Sequence, residues 1–129
     1  GLKAGLIYNT FPLMGDSLIA PGVYAMQPWF QAMIEDAITV QFNHRLLALT
    51  TFFLIVAVYL YQLRLNISSR TKLLFNFILI ASLIQVGLGI STLLLRVPVA
   101  IAASHQAVAL VLLTTLILLL HHIKSIKPV

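Results

Sequence analysis

Three long apolar runs, separated by short polar stretches, occupy most of this chain of 129 residues. They extend from about 42 to 63, 73 to 95 and 100 to 120. Each is close to the roughly 20 apolar residues that a helix needs to cross a bilayer core. The pattern predicts an all-α fold, an integral membrane helical bundle whose three transmembrane helices lie within residues 42–129.

Residues 1–41 lack this pattern, because proline and glycine interrupt them every few positions. The six interrupting residues are Gly5, Pro12, Gly15, Pro21, Gly22 and Pro28. We therefore expect a loop outside the membrane, and the residues from Pro28 to about Ile38 are compatible with a short interfacial helix.

Composition agrees with a membrane protein, since 60% of residues are hydrophobic, 9% are charged and the mean hydropathy is +1.03. Cysteine is absent, which excludes a thiolate haem ligand within these residues.

Charge is distributed unevenly about the apolar runs. The basic residues near their ends are Arg64, Arg70, Lys72, Lys124 and Lys127, whereas residues 1–41 carry three acidic residues and one lysine. The positive-inside rule places the 64–72 loop and the C-terminus on the inner side, and residues 1–41 on the outer side. The net charge of +5 follows from this topology, so no nucleic acid partner is expected.

Two histidines, His44 and His105, stand near the outer ends of the first and third runs. An ionisable side chain is costly at bilayer depth unless a partner or cofactor compensates it, and neutral imidazole is a common axial ligand of haem iron. We expect this pair to bind one haem iron from two facing helices. The alternative is that each histidine only bonds a backbone carbonyl or lies in the interfacial zone.

Further polar residues flank the pair. Arg45 and Arg96 lie on the same outer side, where a guanidinium is suited to bind a haem propionate. Alternatively, Arg96 caps a turn and Arg45 extends to the interface. Gln41, Asn43 and Gln106 are candidates for the hydrogen bonds that fix the imidazole tautomers.

The second and third runs contain other features of interest. Gly87, Gly89 and Ser91 interrupt an otherwise bulky run, and the small-xxx-small spacing of Gly87 with Ser91 favours close helix packing, with contact to a flat macrocycle as the alternative. Gln85 is a polar residue suited to a bond between helices. His121 and His122 lie at the opposite, basic end of the third run, and we interpret them as interfacial residues.

Four segments together resemble a known family. They are Gly1–Met14, Val40–Arg45, Gln85–Leu94 and Val97–Gln106, in that order along nearly the whole chain. They resemble the C-terminal, cofactor-binding half of the haem A synthase family of bacteria and mitochondria. In that family two four-helix halves each offer a histidine pair, and this chain begins just after the first helix of the second half.

The resemblance implies a function. His44 and His105 correspond to the axial ligands of a haem B cofactor. The other half of the family's proteins takes haem O as substrate. A methyl group of haem O is there oxidised to the formyl group of haem A, the haem of cytochrome oxidase. Gln41 stands where the substrate half has a glutamate, so no catalytic residue is expected here and the fragment alone should be inactive.

The implied surroundings follow from the same resemblance. Partners are membrane lipid, the N-terminal half with its haem O, an unidentified electron donor and, as a further option, a second copy of the chain. The expected location is a bacterial plasma membrane, with the mitochondrial inner membrane as the alternative.

Two other functions share parts of this pattern. One is a bis-histidine membrane cytochrome b that only transfers electrons. The other is a bundle without haem, such as a transporter fragment, whose histidines are structural or protonatable.

Overall fold

The computed structural model describes residues 2–125, and its regular structure is helical. A 3-10 turn at Ala4–Leu6 is followed by the short helix α1 (Trp29–Glu35) and three long helices. These are α2 (Ala37–Gln62), α3 (Ser69–Leu94) and α4 (Val99–Ser125). The predicted all-α fold is confirmed.

The three long helices have the length and composition of membrane spans. They contain 26, 26 and 27 residues, and an 18-residue stretch of each has a mean hydropathy of 1.6, 2.2 and 2.0 respectively. At about 1.5 Å per residue each is close to 40 Å long, more than the ~30 Å of a hydrocarbon core. The chain is therefore a membrane protein, and residues 2–125 contain three helices long and apolar enough to span the bilayer.

Two of these helices begin before the apolar runs, because polar residues cap them. The Asp36 carboxylate accepts hydrogen bonds from the backbone N–H of Ile38 and Thr39 and from the Thr39 hydroxyl. The Thr39 bonds hold the pKa of Asp36 below its usual value, so this cap stays charged at neutral pH. At α3 the Ser68 hydroxyl accepts from the Thr71 N–H.

The core lies mainly between α3 and α4. Its buried members are Ile78 and Ala81 of α3 with Leu112 and Leu119 of α4, and Ile55 of α2 packs against them. Many other large apolar side chains point outward. This is the arrangement that lipid-facing helices require, since the bilayer is as apolar as the side chains themselves.

A tight turn joins α3 to α4. Arg96 and Val97 both adopt a positive φ of 60°, and the Val97 N–H bonds the Thr92 carbonyl. Pro98 then precedes the first residue of α4. Because α3 reverses the direction of the chain, α2 and α4 begin at the same end of the bundle. Lys127, one of the residues used to predict the inner side, lies outside the described residues.

Candidate functional site

A cavity of about 580 Å³ lies between α2, α3 and α4. Pockets of about 300–1,000 Å³ are typical of small-molecule and cofactor sites. Its lining is mostly apolar, with polar groups contributed by Gln41, His44, Arg45, Gln85 and His105. The cavity therefore suits a large apolar ligand with a few polar attachment points.

The two predicted histidines face each other across this cavity. His44 is the eighth residue of α2 and His105 is the seventh of α4, which places them about 10 Å and 9 Å along their helices. Their ring centres are 6.4 Å apart and their planes are inclined by 74°. The matched positions along two helices that begin at the same end bring the rings together.

This separation is compatible with a shared metal ion. An imidazole nitrogen binds a transition metal at about 2.0–2.1 Å and lies about 1.1 Å from its ring centre, so two rings on opposite sides of one metal would have centres about 6.2–6.4 Å apart. Within residues 2–125 no cluster of three or more His, Cys, Asp or Glu side chains is present to hold a metal by protein ligands alone. A haem needs only two protein ligands, because the porphyrin supplies the other four nitrogens.

His105 also has a free buried atom. Its Nδ1 is buried and has no hydrogen-bond partner in the described part of the chain. Buried polar atoms are normally satisfied, so this unpaired nitrogen of a cavity-lining histidine is consistent with a site that binds a further group. The histidine pair, the cavity and this atom together fit a haem.

The His105 ring rests on α3. A Cβ atom built on Gly89 would lie 3.0 Å from the His105 Cε1 atom, so any larger residue there would push the ring away by a few tenths of an ångström. One turn earlier on the same face, the Gln85 Nε2 atom is 3.4 Å from the His105 Nε2 atom. The sequence predicts a bond between helices for Gln85, but it does not identify His105 as the partner.

The N-terminal loop forms the outer wall of the cavity through Ala4, Gly5 and Phe11. The Gln41 amide holds this loop by two hydrogen bonds to the Tyr8 backbone. It accepts from the Tyr8 N–H at 3.2 Å and donates to the Tyr8 carbonyl at 3.0 Å.

Arg45 and Asn9 complete the attachment of this loop. The Arg45 guanidinium donates to the backbone carbonyls of Tyr8, Thr10 and Leu13 at 2.8 to 3.1 Å. The Asn9 amide donates to the carbonyl of Leu93, near the end of α3. Six side-chain to backbone hydrogen bonds thus fix the loop to α2 and α3.

The other candidate residues occupy different surroundings. Arg45 lines the cavity, its two terminal nitrogens are bonded to the loop, and its buried Nε has no partner among residues 2–125. Arg96 and Gln106 are exposed and do not line the cavity. The propionate roles of Arg45 and Arg96 stay predictions.

Three amides were candidates for fixing the imidazole tautomers. Two of them, Gln41 and Asn43, bond residues of the N-terminal loop instead. Gln41 bonds Tyr8, and Asn43 accepts a hydrogen bond of 2.9 Å from the Tyr24 hydroxyl. The amide that contacts one of the two histidine rings is Gln85, on α3, which meets His105 of α4.

Gly87 and the C-terminal histidines lie away from the histidine pair. A Cβ at Gly87 would meet nothing within 4 Å in the described structure, so the expected close packing at Gly87 is wrong for these helices. His121 is exposed, and the His122 Nε2 atom lies 3.2 Å from the Thr71 hydroxyl, at the end of the bundle away from the cavity.

Comparison with known proteins covers the same residues. The model of the COX15-CtaA family, described as cytochrome oxidase assembly protein, matches residues 1–117. The haem A synthase of Nitrosospira multiformis is 41% identical over 124 residues, which is 96% of this chain and 35% of that protein. Human haem A synthase COX15 is 40% identical over 126 residues, 98% of this chain and 31% of that protein.

A plant relative shows the same extent of similarity. The haem A synthase COX15 of Arabidopsis thaliana is 41% identical over 99% of this chain. The chain spans about a third of the length of these curated relatives. No solved structure matches it. The family model and these relatives confirm the resemblance found in the sequence: this chain belongs to the COX15-CtaA family, that of the haem A synthases.

Proposed function

We propose that this chain is the haem-holding part of a haem A synthase, in which His44 and His105 bind the iron of a haem B from its two faces. The observation that carries the proposal is the 6.4 Å separation of two histidine rings that both line an apolar cavity. Membership of the family favours this function over a cytochrome b subunit or a bundle without haem.

Each feature of the site has a role in this proposal. The apolar lining excludes water from the porphyrin faces, and the Gln41 and Arg45 bonds hold the loop against its outer edge. The Arg45 Nε is the buried donor left for a propionate oxygen. Held by His44 and His105, a haem would supply one-electron redox chemistry.

The reaction of the whole protein lies beyond this chain. As a member of this family, the full-length protein would oxidise a methyl group of haem O to the formyl group of haem A, the haem that cytochrome oxidase requires. We assign the substrate site to the remaining part of the protein, because Gln41 is bonded to the loop backbone and offers no carboxylate here. The electron donor and a second copy of the chain remain expected partners.

The membrane is also part of the proposal. The relatives come from bacteria and from organisms with mitochondria, so they favour an energy-transducing membrane. We propose a bacterial plasma membrane and keep the mitochondrial inner membrane as the alternative.

The test is a haem spectrum of the full-length protein in detergent. Wild type, His44→Ala and His105→Ala are compared by reduced-minus-oxidised spectra and by pyridine haemochrome analysis. We expect each substitution to abolish the low-spin haem B signal, because a single remaining imidazole leaves the iron without its second protein ligand.

His121→Ala is the matched control, since His121 lies in the same helix as His105 but at the other end of the bundle. It should retain the wild-type spectrum at equal protein content. A haem B signal that survives both ligand substitutions would place the cofactor elsewhere and refute the proposal.

A further inference from the structure

The short helix α1 has an apolar side and a polar side. Residues four apart lie on the same face of a helix, because each residue turns the chain by about 100°. Gln31 and Glu35 form the polar pair, and a hydrogen bond of 3.4 Å joins their side chains. The large apolar residues form two pairs on adjoining faces. They are Trp29 with Met33 and Phe30 with Ile34.

The apolar side of α1 points away from the protein. Ala32 is fully buried and is the one buried residue of α1, which contacts α2. At about 100° per residue, Phe30 and Ile34 each lie about 160° around the helix axis from Ala32. They are 59% and 75% exposed. A helix on a protein surface in water has the reverse arrangement, with its large apolar side chains against the protein.

α1 lies beside the bilayer surface. Only Asp36 separates it from α2, a helix long and apolar enough to span the membrane. The Asp36 carboxylate caps α2 and stays charged, so it lies outside the hydrocarbon core, where a charge is costly. A charged residue directly before a spanning helix is at the level of the lipid headgroups. The end of α1 is therefore at that level too.

The residue types of α1 favour lipid as the group that covers its apolar side. Tryptophan is enriched where membrane and water meet, and helices that lie in this zone bury their apolar face about 5–10 Å deep. Large apolar side chains that point outward are also what α2, α3 and α4 present to the bilayer. α1 has no lysine or arginine, so attraction to lipid phosphates contributes nothing to the contact.

We infer that α1 lies in the plane of the bilayer surface, with its apolar side among the acyl chains of the leaflet in which α2 begins. The side chains that enter the leaflet are those of Trp29, Phe30, Met33 and Ile34. The inference assigns a lipid contact outside the spanning helices, and it does not depend on the haem.

The experiment measures the depth of single side chains in the full-length protein, reconstituted in phosphatidylcholine vesicles. With any other cysteines removed, Ile34→Cys carries a fluorescent label on the apolar side, and Gln31→Cys is the matched control on the polar side. Both positions are exposed, so neither substitution removes a packed side chain. Phosphatidylcholine with a nitroxide near the head of its acyl chain is the quencher.

We expect nitroxide lipid to quench the label at Ile34→Cys about threefold more than the label at Gln31→Cys, because only the former enters the acyl region. Iodide in the water should quench the two labels in the reverse order. Equal quenching of both positions by nitroxide lipid would overturn the inference. An Ile34→Cys label that neither quencher reaches would show that another part of the protein covers α1, and would also overturn it.

Lipid charge gives a second test. Replacing part of the phosphatidylcholine by phosphatidylglycerol should leave the quenching at Ile34→Cys unchanged, since α1 carries no basic residue. Lipid quenching that appears only with the anionic lipid would mean that headgroup charge, rather than apolar contact, holds this segment at the membrane, and would overturn the inference.

Discussion

At the scale of single residues, Gly89 offers a test that does not remove any polar group. An alanine at this position would place its Cβ 3.0 Å from the His105 Cε1, so the ring would have to move by a few tenths of an ångström. A binding site must be held within about 0.5 Å of its productive geometry, so a shift of this size uses up much of that margin. We expect Gly89→Ala to lower the haem B content at equal protein content, measured by pyridine haemochrome analysis of the full-length protein.

Gly87→Ala is the control for this prediction, because the two glycines lie in the same helix and Gly87 borders open space. Both alanines should favour the helix by about 0.5–1 kcal/mol relative to glycine. Only Gly89→Ala should lose haem. Equal haem contents in the two variants would mean that haem binding by His105 does not require a glycine at position 89.

The same residues show how far the sequence predicts the site. His44 and His105 were found from sequence because each is a polar exception near the end of an apolar run. The contact of Gln85 with the His105 ring was not, since it depends on how α3 and α4 are rotated about their axes. The signal was present, however: Gln85 and Gly89 are a polar and a small residue at i and i+4 in a bulky helix.

At the scale of elements, the N-terminal loop is held by side chains of α2 rather than by apolar packing alone. Arg45 bonds three backbone carbonyls of the loop, and lysine lacks the planar fork to do the same. Hydrogen bonds to charged groups contribute about 1.5–3 kcal/mol each. We expect Arg45→Lys to speed amide hydrogen exchange between residues 5 and 15 about tenfold, as measured by mass spectrometry on the full-length protein.

The control for this prediction is Arg64→Lys, which changes an exposed arginine just beyond the other end of α2. Exchange in the loop should then equal that of wild type. If Arg45→Lys also leaves loop exchange unchanged while haem retention falls, Arg45 acts on the haem rather than on the loop.

The elements themselves differ in how well sequence predicts them. Spanning helices are predictable because a long apolar run has no other stable form in a bilayer. The loop has no periodicity, so its path depends on partners such as Gln41 and Asn9 that are distant in sequence from the residues they bond. Even the helix starts depend on polar caps, here Asp36 and Ser68, that lie outside the apolar runs.

At the scale of the whole molecule, three spans in one chain force an alternation of direction, and this alternation brings the two histidines to one end. The sequence predicts this from helix count alone. It does not predict that α3 and α4 form the main packed pair around Ile78 and Leu112, because several apolar faces of the helices are equally able to pack. Of α2, Ile55 packs against this core, and the cavity lies between α2 and the α3–α4 pair.

The charge distribution also predicts the orientation of the whole molecule in the membrane, and cysteine labelling can test it. Because the described chain has no cysteine, single cysteines at Ser17 in the loop and at Ser69 at the start of α3 are unique labels in this part of the protein. Both positions are exposed. With any other cysteines removed, we expect a membrane-impermeant maleimide to label Ser17→Cys in intact cells and Ser69→Cys only after permeabilisation. The charge bias predicts this because Arg64, Arg70 and Lys72 surround Ser69 and favour the inner side. The reverse labelling would place the histidine pair near the inner surface, and the haem would then exchange electrons with partners on that side.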